Sequence, residues 1–159
     1  MSGHYHPSER IIKSKSYQYA LHYLSRYPKT RKELEMKLLQ KWFAYEDIQD
    51  TIEVLEHQDV VNDSKFADSY IYSECVRKGK PLIAVKNKLF QKWIDKDIID
   101  ERLNHHADGM EHGMSQKIIK EIDNYKKRGI EWLDIIQKLM RKWYGIDQIK
   151  EAIRVRDSQ

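Results

Sequence analysis

Lys37-Leu38-Leu39-Gln40-Lys41-Trp42, Lys88-Leu89-Phe90-Gln91-Lys92-Trp93 and Lys138-Leu139-Met140-Arg141-Lys142-Trp143 are one motif written three times in a chain of 159 residues. The Trp residues stand 51 and 50 positions apart, and their neighbours align without a gap. Eight positions before each Trp stand Leu34, Val85 and Ile135. Four before stand Leu38, Leu89 and Leu139, and three before stand Leu39, Phe90 and Met140. Six after come Ile48, Ile99 and Ile149; ten after come Ile52, Leu103 and Ile153. Pro28, Gly79 and Gly129, all helix breakers, lie fourteen before. Agreement at so many positions in one register is internal repetition.

The spacing dictates local structure. Positions −8, −4, −3 and 0 fall within roughly 140° of arc at 100° per residue, one apolar stripe of a helix with Trp at its C-terminal end. Positions +6 and +10 mark a following helix. Leu21 and Leu24, Tyr72 and Cys75, then Ile122 and Tyr125 mark a helix before each breaker. Thr30-Arg31-Lys32-Glu33 reads as a capping box, and Asn62 or Asp63 and Ser115 as caps of the later units' first helices. Helices are predicted near 14–27, 30–42, 46–58, 63–78, 81–93, 96–106, 115–128, 131–143 and 146–155. Strand alternation is absent. The expected fold is all-α, a tandem array of three three-helix repeats forming an elongated, curved molecule, because small units share burial by stacking. Residues 1–13 read as a flexible N-terminal segment or a short preceding helix, 14–61 as repeat 1, 62–107 as repeat 2, and 108–159 as linker and repeat 3. The linker signal is the His- and Gly-rich segment from Asn104 to Gly113.

Hydrophobic residues make up 40% and charged residues 34%, against ~45–50% and ~25% for ordinary domains. With a mean hydropathy of −0.80, the chain is rich in surface. Its single Cys75 aligns with core positions and leaves no disulfide framework. No apolar run approaches the ~20 residues of a membrane span, so the expectation is a cytoplasmic protein with no membrane partner. A net charge of +4 permits contact with nucleic acid or an acidic protein surface.

The charges are sorted. Lys37, Lys88 and Lys138 lie five before Trp, and Lys41, Lys92 and Lys142 one before, so each middle helix carries two lysines on one face. Basic residues also crowd the joints before those helices: Arg26, Lys29, Arg31 and Lys32, then Arg77, Lys78 and Lys80, then Lys126, Lys127 and Arg128. From Phe43 to Ser64 there is no Lys or Arg, while Glu46, Asp47, Asp50, Glu53, Glu56 and Asp59 are present. Opposite signs on separate faces suit a protein partner better than a uniform polyphosphate. The plainer reading of the lysines is aliphatic stems shielding a small core and charges completing helix C-termini. The Trp residues are expected to pack in that core, with stacking on bases as the alternative.

Catalytic patterns are missing. There is no Gly-rich phosphate loop, no nucleophile elbow and no His-Glu-x-x-His. His105, His106 and His112, like His4 and His6, lack a companion ligand set at helical spacing. The expectation is a non-enzyme without metal or cofactor.

The run Asn62-Asp63-Ser64-Lys65-Phe66-Ala67-Asp68-Ser69-Tyr70, then Arg77-Lys78-Gly79, then Val85-Lys86-Asn87-Lys88-Leu89-Phe90-Gln91-Lys92 resembles the most characteristic stretch of the RecX family. The family pattern there is an acidic-acidic-x-basic-Phe start, an Arg-Lys-Gly or Arg-x-x-Gly joint, and a helix Ile-x-x-Glu-Leu-x-x-Lys-Gly. Thr30 to Leu38 is similar to the family's Ser-x-x-Glu-Leu-x-x-Lys-Leu. The resemblance runs from about Tyr17 to the end, with one consistent departure: Trp stands where the family usually has Gly after the Lys. The resemblance implies a regulator of the RecA recombinase that lies along the groove of the RecA–DNA filament, contacts successive protomers, and restrains ATP hydrolysis, strand exchange and filament growth. The implied partner is the RecA filament on single-stranded DNA, with weak direct DNA contact and a monomeric regulator. The expected contact strip is Lys37, Lys41, Arg77, Lys78, Lys88, Lys92, Lys126, Lys127, Arg128, Lys138 and Lys142, whereas Phe66 and Tyr70 look structural. The competing readings are a stand-alone helical nucleic-acid-binding protein and an unrelated helical adaptor.

Overall fold

The computed structural model describes residues 9–159, and every regular element among them is helical. In chain order these are α1 (Glu9–Ile12), α2 (Lys15–Leu24), α3 (Arg31–Gln40), α4 (Tyr45–His57), α5 (Asp63–Ile71) with a π-helical continuation (Tyr72–Arg77), α6 (Leu82–Gln91), α7 (Lys96–His105), α8 (Ala107–Lys127), α9 (Trp132–Arg141) and α10 (Ile146–Asp157). From α2 onward the order is first, middle and third helix, three times over. The chain is an all-α array of three-helix repeats, as its 50-residue periodicity predicts.

Two compact units divide the described chain: residues 9–66 with 92–94, and residues 67–91 with 95–159. In the first, Leu34 and Leu38 of α3 meet Ile48, Ile52 and Leu55 of α4 and Tyr17 and Ala20 of α2. The predicted capping box is present. Thr30 Oγ1 accepts from the Glu33 amide at 3.2 Å, and Glu33 Oε2 accepts from the Thr30 amide at 3.0 Å. The amide of Arg31 donates to Asp63 Oδ1 at 2.8 Å, satisfying another orphan N–H of the first turn. Residues 9–12 form the short preceding helix, the second of the two readings, with Ile11 buried in this core. Residues 1–8, the rest of the expected flexible segment with His4 and His6, lie outside the described residues.

In the second unit Met114, Ile118 and Ile122 of α8 pack with Ile135 and Leu139 of α9 and Ile149 and Ala152 of α10. Asn62 caps α5, its Oδ1 accepting from the Lys65 amide at 2.9 Å. Two expectations fail here. The segment Asn104–Gly113, expected as a linker, is almost wholly helical: α7 runs to His105 and α8 starts at Ala107, so Ser115 lies inside α8 rather than capping it. The glycines on α8 serve close packing against the π-helical stretch. A Cβ on Gly113 would stand 2.1 Å from the Val76 carbonyl oxygen, and one on Gly79 would stand 2.2 Å from the Gly113 carbonyl oxygen. Along this helix Ile71 and Cys75 are buried while Tyr72 is exposed. No helix among the described residues is long and apolar enough to cross a membrane.

Candidate interaction surface

A left-handed Trp follows each middle helix. After α3, Trp42 takes a left-handed backbone (φ 61°). Its amide donates to the Leu39 carbonyl at 2.9 Å, and the Phe43 amide reaches back to the Leu38 carbonyl at 3.4 Å. After α9, Trp143 (φ 70°) donates to Met140 at 3.0 Å and Tyr144 to Leu139 at 3.4 Å. Both are Schellman caps with Trp in the position that glycine usually fills. Trp93, after α6, has the same left-handed φ of 63°. A left-handed backbone costs a residue with a Cβ about 1–2 kcal/mol, a strain glycine avoids.

The caps turn the rings outward. Trp42 is 94% exposed, Trp93 62% and Trp143 69%. The expectation that these residues pack in the core is therefore wrong. Helical projection holds only as far as the residue before Trp; the change of sign in φ hands the inward place to the next residue. Ile94 and Tyr144 are buried and Phe43 is half-buried. Leu39, Phe90 and Met140, three before each Trp, are also exposed.

The lysine just before each Trp is held. Lys41 Nζ lies 5.6 Å from the centre of the Tyr19 ring, Lys92 Nζ 5.2 Å from Phe66, and Lys142 Nζ 5.6 Å from Tyr125. Lys92 also donates to Glu33 at 2.6 Å and Lys142 to Glu121 at 2.6 Å. The Lys142 ammonium is pushed up in pKa by its hydrogen bond to Glu121. Five before Trp, Lys37 is half-buried over the Tyr23 ring at 5.6 Å, Lys138 is half-buried and Lys88 is exposed. These aromatic and carboxylate partners, Tyr19, Tyr23, Phe66, Tyr125, Glu33 and Glu121, escape sequence reasoning because they come from other helices at unequal offsets. Exposed carboxylates follow each Trp by four residues, at Glu46, Asp97 and Asp147.

The joint residues separate. Arg77 and Lys78, with Lys80, His112, Lys117 and Lys120, line a basic cleft of about 520 Å³ between the π-helical stretch and α8. Glu74 underlies it, ion-paired with Lys78 and Lys80. Lys126, Lys127 and Arg128 close the last turn of α8, where positive charge complements the helix dipole. Lys126 Nζ lies 3.8 Å above the Trp132 ring.

The histidines split as well. His105 and His106 come together with Asp68, their ligand atoms within 4.8 Å of one another, whereas His112 lines the basic cleft. His106 Nε2 stands 2.9 Å from Asp68 Oδ1, and the Arg102 guanidinium approaches the same oxygen at 3.9 Å. Cys75 is fully buried, and burial pushes its thiol up to about 11.

Comparison with known proteins agrees with this architecture. The family model described as "RecX, first three-helix domain" matches residues 17–55. The chain is 32% identical over 155 residues to the regulatory protein RecX of Clostridium acetobutylicum, covering 91% of this chain and 72% of that protein. It is 29% identical over 134 residues to that of Streptococcus sanguinis, and the match spans only 52% of that longer relative. The crystal structure of RecX from Lactobacillus salivarius aligns with a TM-score of 0.77 at 27% identity, over 91% of this chain and 96% of that one. With its repeated three-helix architecture and this extent of identity, the chain belongs to the RecX family of regulatory proteins.

Proposed function

We propose that the chain binds along the groove of the RecA–DNA filament and inhibits RecA ATP hydrolysis, strand exchange and filament growth. The observation that carries this reading is the recurrence of one surface at one spacing. The middle helix of each repeat is followed by a left-handed, exposed Trp, with an exposed carboxylate four residues on. A filament offers its own surface repeatedly, and linked contacts to successive protomers add through effective concentration. On this reading residues 14–61, 62–107 and 108–159 act as three contact modules. Among the strip residues, Arg77 and Lys88 are exposed and outside the ion pairs described above. They report on the contact without dismantling the fold.

The test is RecA ATP hydrolysis on single-stranded DNA with this protein titrated in below stoichiometry. Activity should fall, and the double variant Arg77→Glu/Lys88→Glu should weaken the effect. Unchanged ATP hydrolysis with the unmodified protein would refute the reading. A second reading, stand-alone nucleic-acid binding, is favoured by the basic cleft at Arg77, Lys78, Lys80, Lys117 and Lys120. It demands tight binding to naked DNA whose affinity falls steeply with salt.

A further inference from the structure

We infer that Trp42, Trp93 and Trp143 are protein-contact anchors, each ring entering an apolar pocket with a basic rim that one repeating partner presents again and again. This rests on the filament reading above and names the residues that would carry it. Three features converge. Each ring is held in water by a left-handed backbone that glycine would adopt without strain, and this happens at all three equivalent positions. Nothing in the fold needs the indole there, since the next residue fills the core place. An exposed, rigid aromatic beside other exposed apolar side chains is the residue type that dominates protein interfaces. At Trp42 and Trp143 that company is Leu39 and Met140.

The charges identify the partner's class. A ring that stacks on bases works beside uncommitted cations that meet the phosphates. Here the preceding lysine is engaged in every repeat: Lys41 by Tyr19, Lys92 by Phe66 and Glu33, Lys142 by Tyr125 and Glu121. An exposed carboxylate stands four residues after each ring, at Glu46, Asp97 and Asp147. A phosphodiester would be repelled there, while a pocket edged by Lys or Arg would be attracted. The complementary surface belongs to a protein.

The experiment compares the full chain with the triple variant Trp42→Gly/Trp93→Gly/Trp143→Gly in co-sedimentation with RecA filaments on single-stranded DNA. Helical content should be unchanged and melting temperature unchanged or raised, because glycine suits the backbone. Filament affinity should fall roughly tenfold or more. If the glycine variant loses helicity, the Trp→Asn triple variant, which also tolerates this backbone, takes its place with the same expectation. Undiminished binding by the folded variant overturns the inference and leaves the filament reading standing. Failure of the unmodified protein to sediment with filaments overturns both. Tight binding to naked single-stranded DNA that the variant loses assigns the rings to stacking on bases and overturns the protein assignment. Self-association that the variant abolishes assigns them to a second copy of the chain and also overturns it.

Discussion

Glu33 uses both carboxylate oxygens to join two distant stretches: Oε2 accepts from the Thr30 amide at 3.0 Å, and Oε1 accepts from Lys92 Nζ at 2.6 Å, 59 positions along the chain. Thr30 Oγ1 returns a bond to the Lys92 carbonyl at 2.9 Å. The capping box of α3 is thus also the fastening of the second Trp motif. Glu33→Ala should lower unfolding free energy by ~1–3 kcal/mol, since it removes a cap and leaves an ammonium and an amide short of partners. Urea denaturation measures this, and an unchanged midpoint would contradict it.

Acid should weaken the fold through such carboxylates. Burial pushes the Glu33 carboxyl up, but hydrogen bonds from Lys92 and the Thr30 amide, with their charges, hold it below its ordinary value. Glu74 and Glu121 are likewise held low against burial, by Lys78 and Lys80 and by Lys142 and Lys117 respectively. Glu35 is held low first by its hydrogen bond to Lys32. A folded pKa below the unfolded value of about 4.3 contributes stability above that pH and loses it as pH falls further. The melting temperature should be level from neutral pH to about 5 and drop below about 4.3. Glu33→Gln and Glu121→Gln should each shrink the drop.

Two glycines should fail for different reasons. Gly113→Ala puts a methyl 2.1 Å from the Val76 carbonyl oxygen and must push α8 off the π-helical stretch, at ~1–3 kcal/mol or more. Gly129→Ala meets nothing within 4 Å, yet its φ of 72° is unfavourable to alanine by ~1 kcal/mol. Hydrogen exchange separates them, because only the first should speed exchange of amides in the N-terminal half of α8.

The caps predict an inversion of the usual size rule. Removing the largest side chain, as Trp42→Gly or Trp143→Gly, should leave unfolding free energy unchanged or raise it by up to ~1 kcal/mol. Removing three carbons from Leu38 or Leu139 by substitution with Ala should lower it by ~2–5 kcal/mol. Chemical denaturation of the four single variants measures both. A Trp143→Gly loss as large as that of Leu139→Ala would mean the ring packs after all.

Cys75, fully buried with its thiol pushed up to about 11, should resist a thiol-specific disulfide reagent in the folded protein and react at once in urea. Fast native labelling would show that the π-helical stretch opens readily.

The repeat was legible because burial in a helix leaves a period: Leu34, Leu38 and Ile48, like Ile135, Leu139 and Ile149, stand where periodicity puts them. What escaped has no period. The orientation of Trp42 depends on the sign of one backbone angle, which helical projection cannot carry beyond the cap. Gly109 and Gly113 read as loop formers because glycine serves both loops and close helix contacts. For the candidate site, the lysine columns were visible as sequence, but the partners of Lys41, Lys92 and Lys142 come from other helices, where spacing along one chain segment says nothing.

The exposed caps also give the protein an unusual optical signature. Three of its four indoles stand in water in the native state, and the remaining one, Trp132, lies beneath Lys126. Native emission will therefore already carry the long-wavelength character of hydrated indole, and complete denaturation will scarcely move it. A blue shift, the usual mark of folding, will in this molecule report that something has covered the rings.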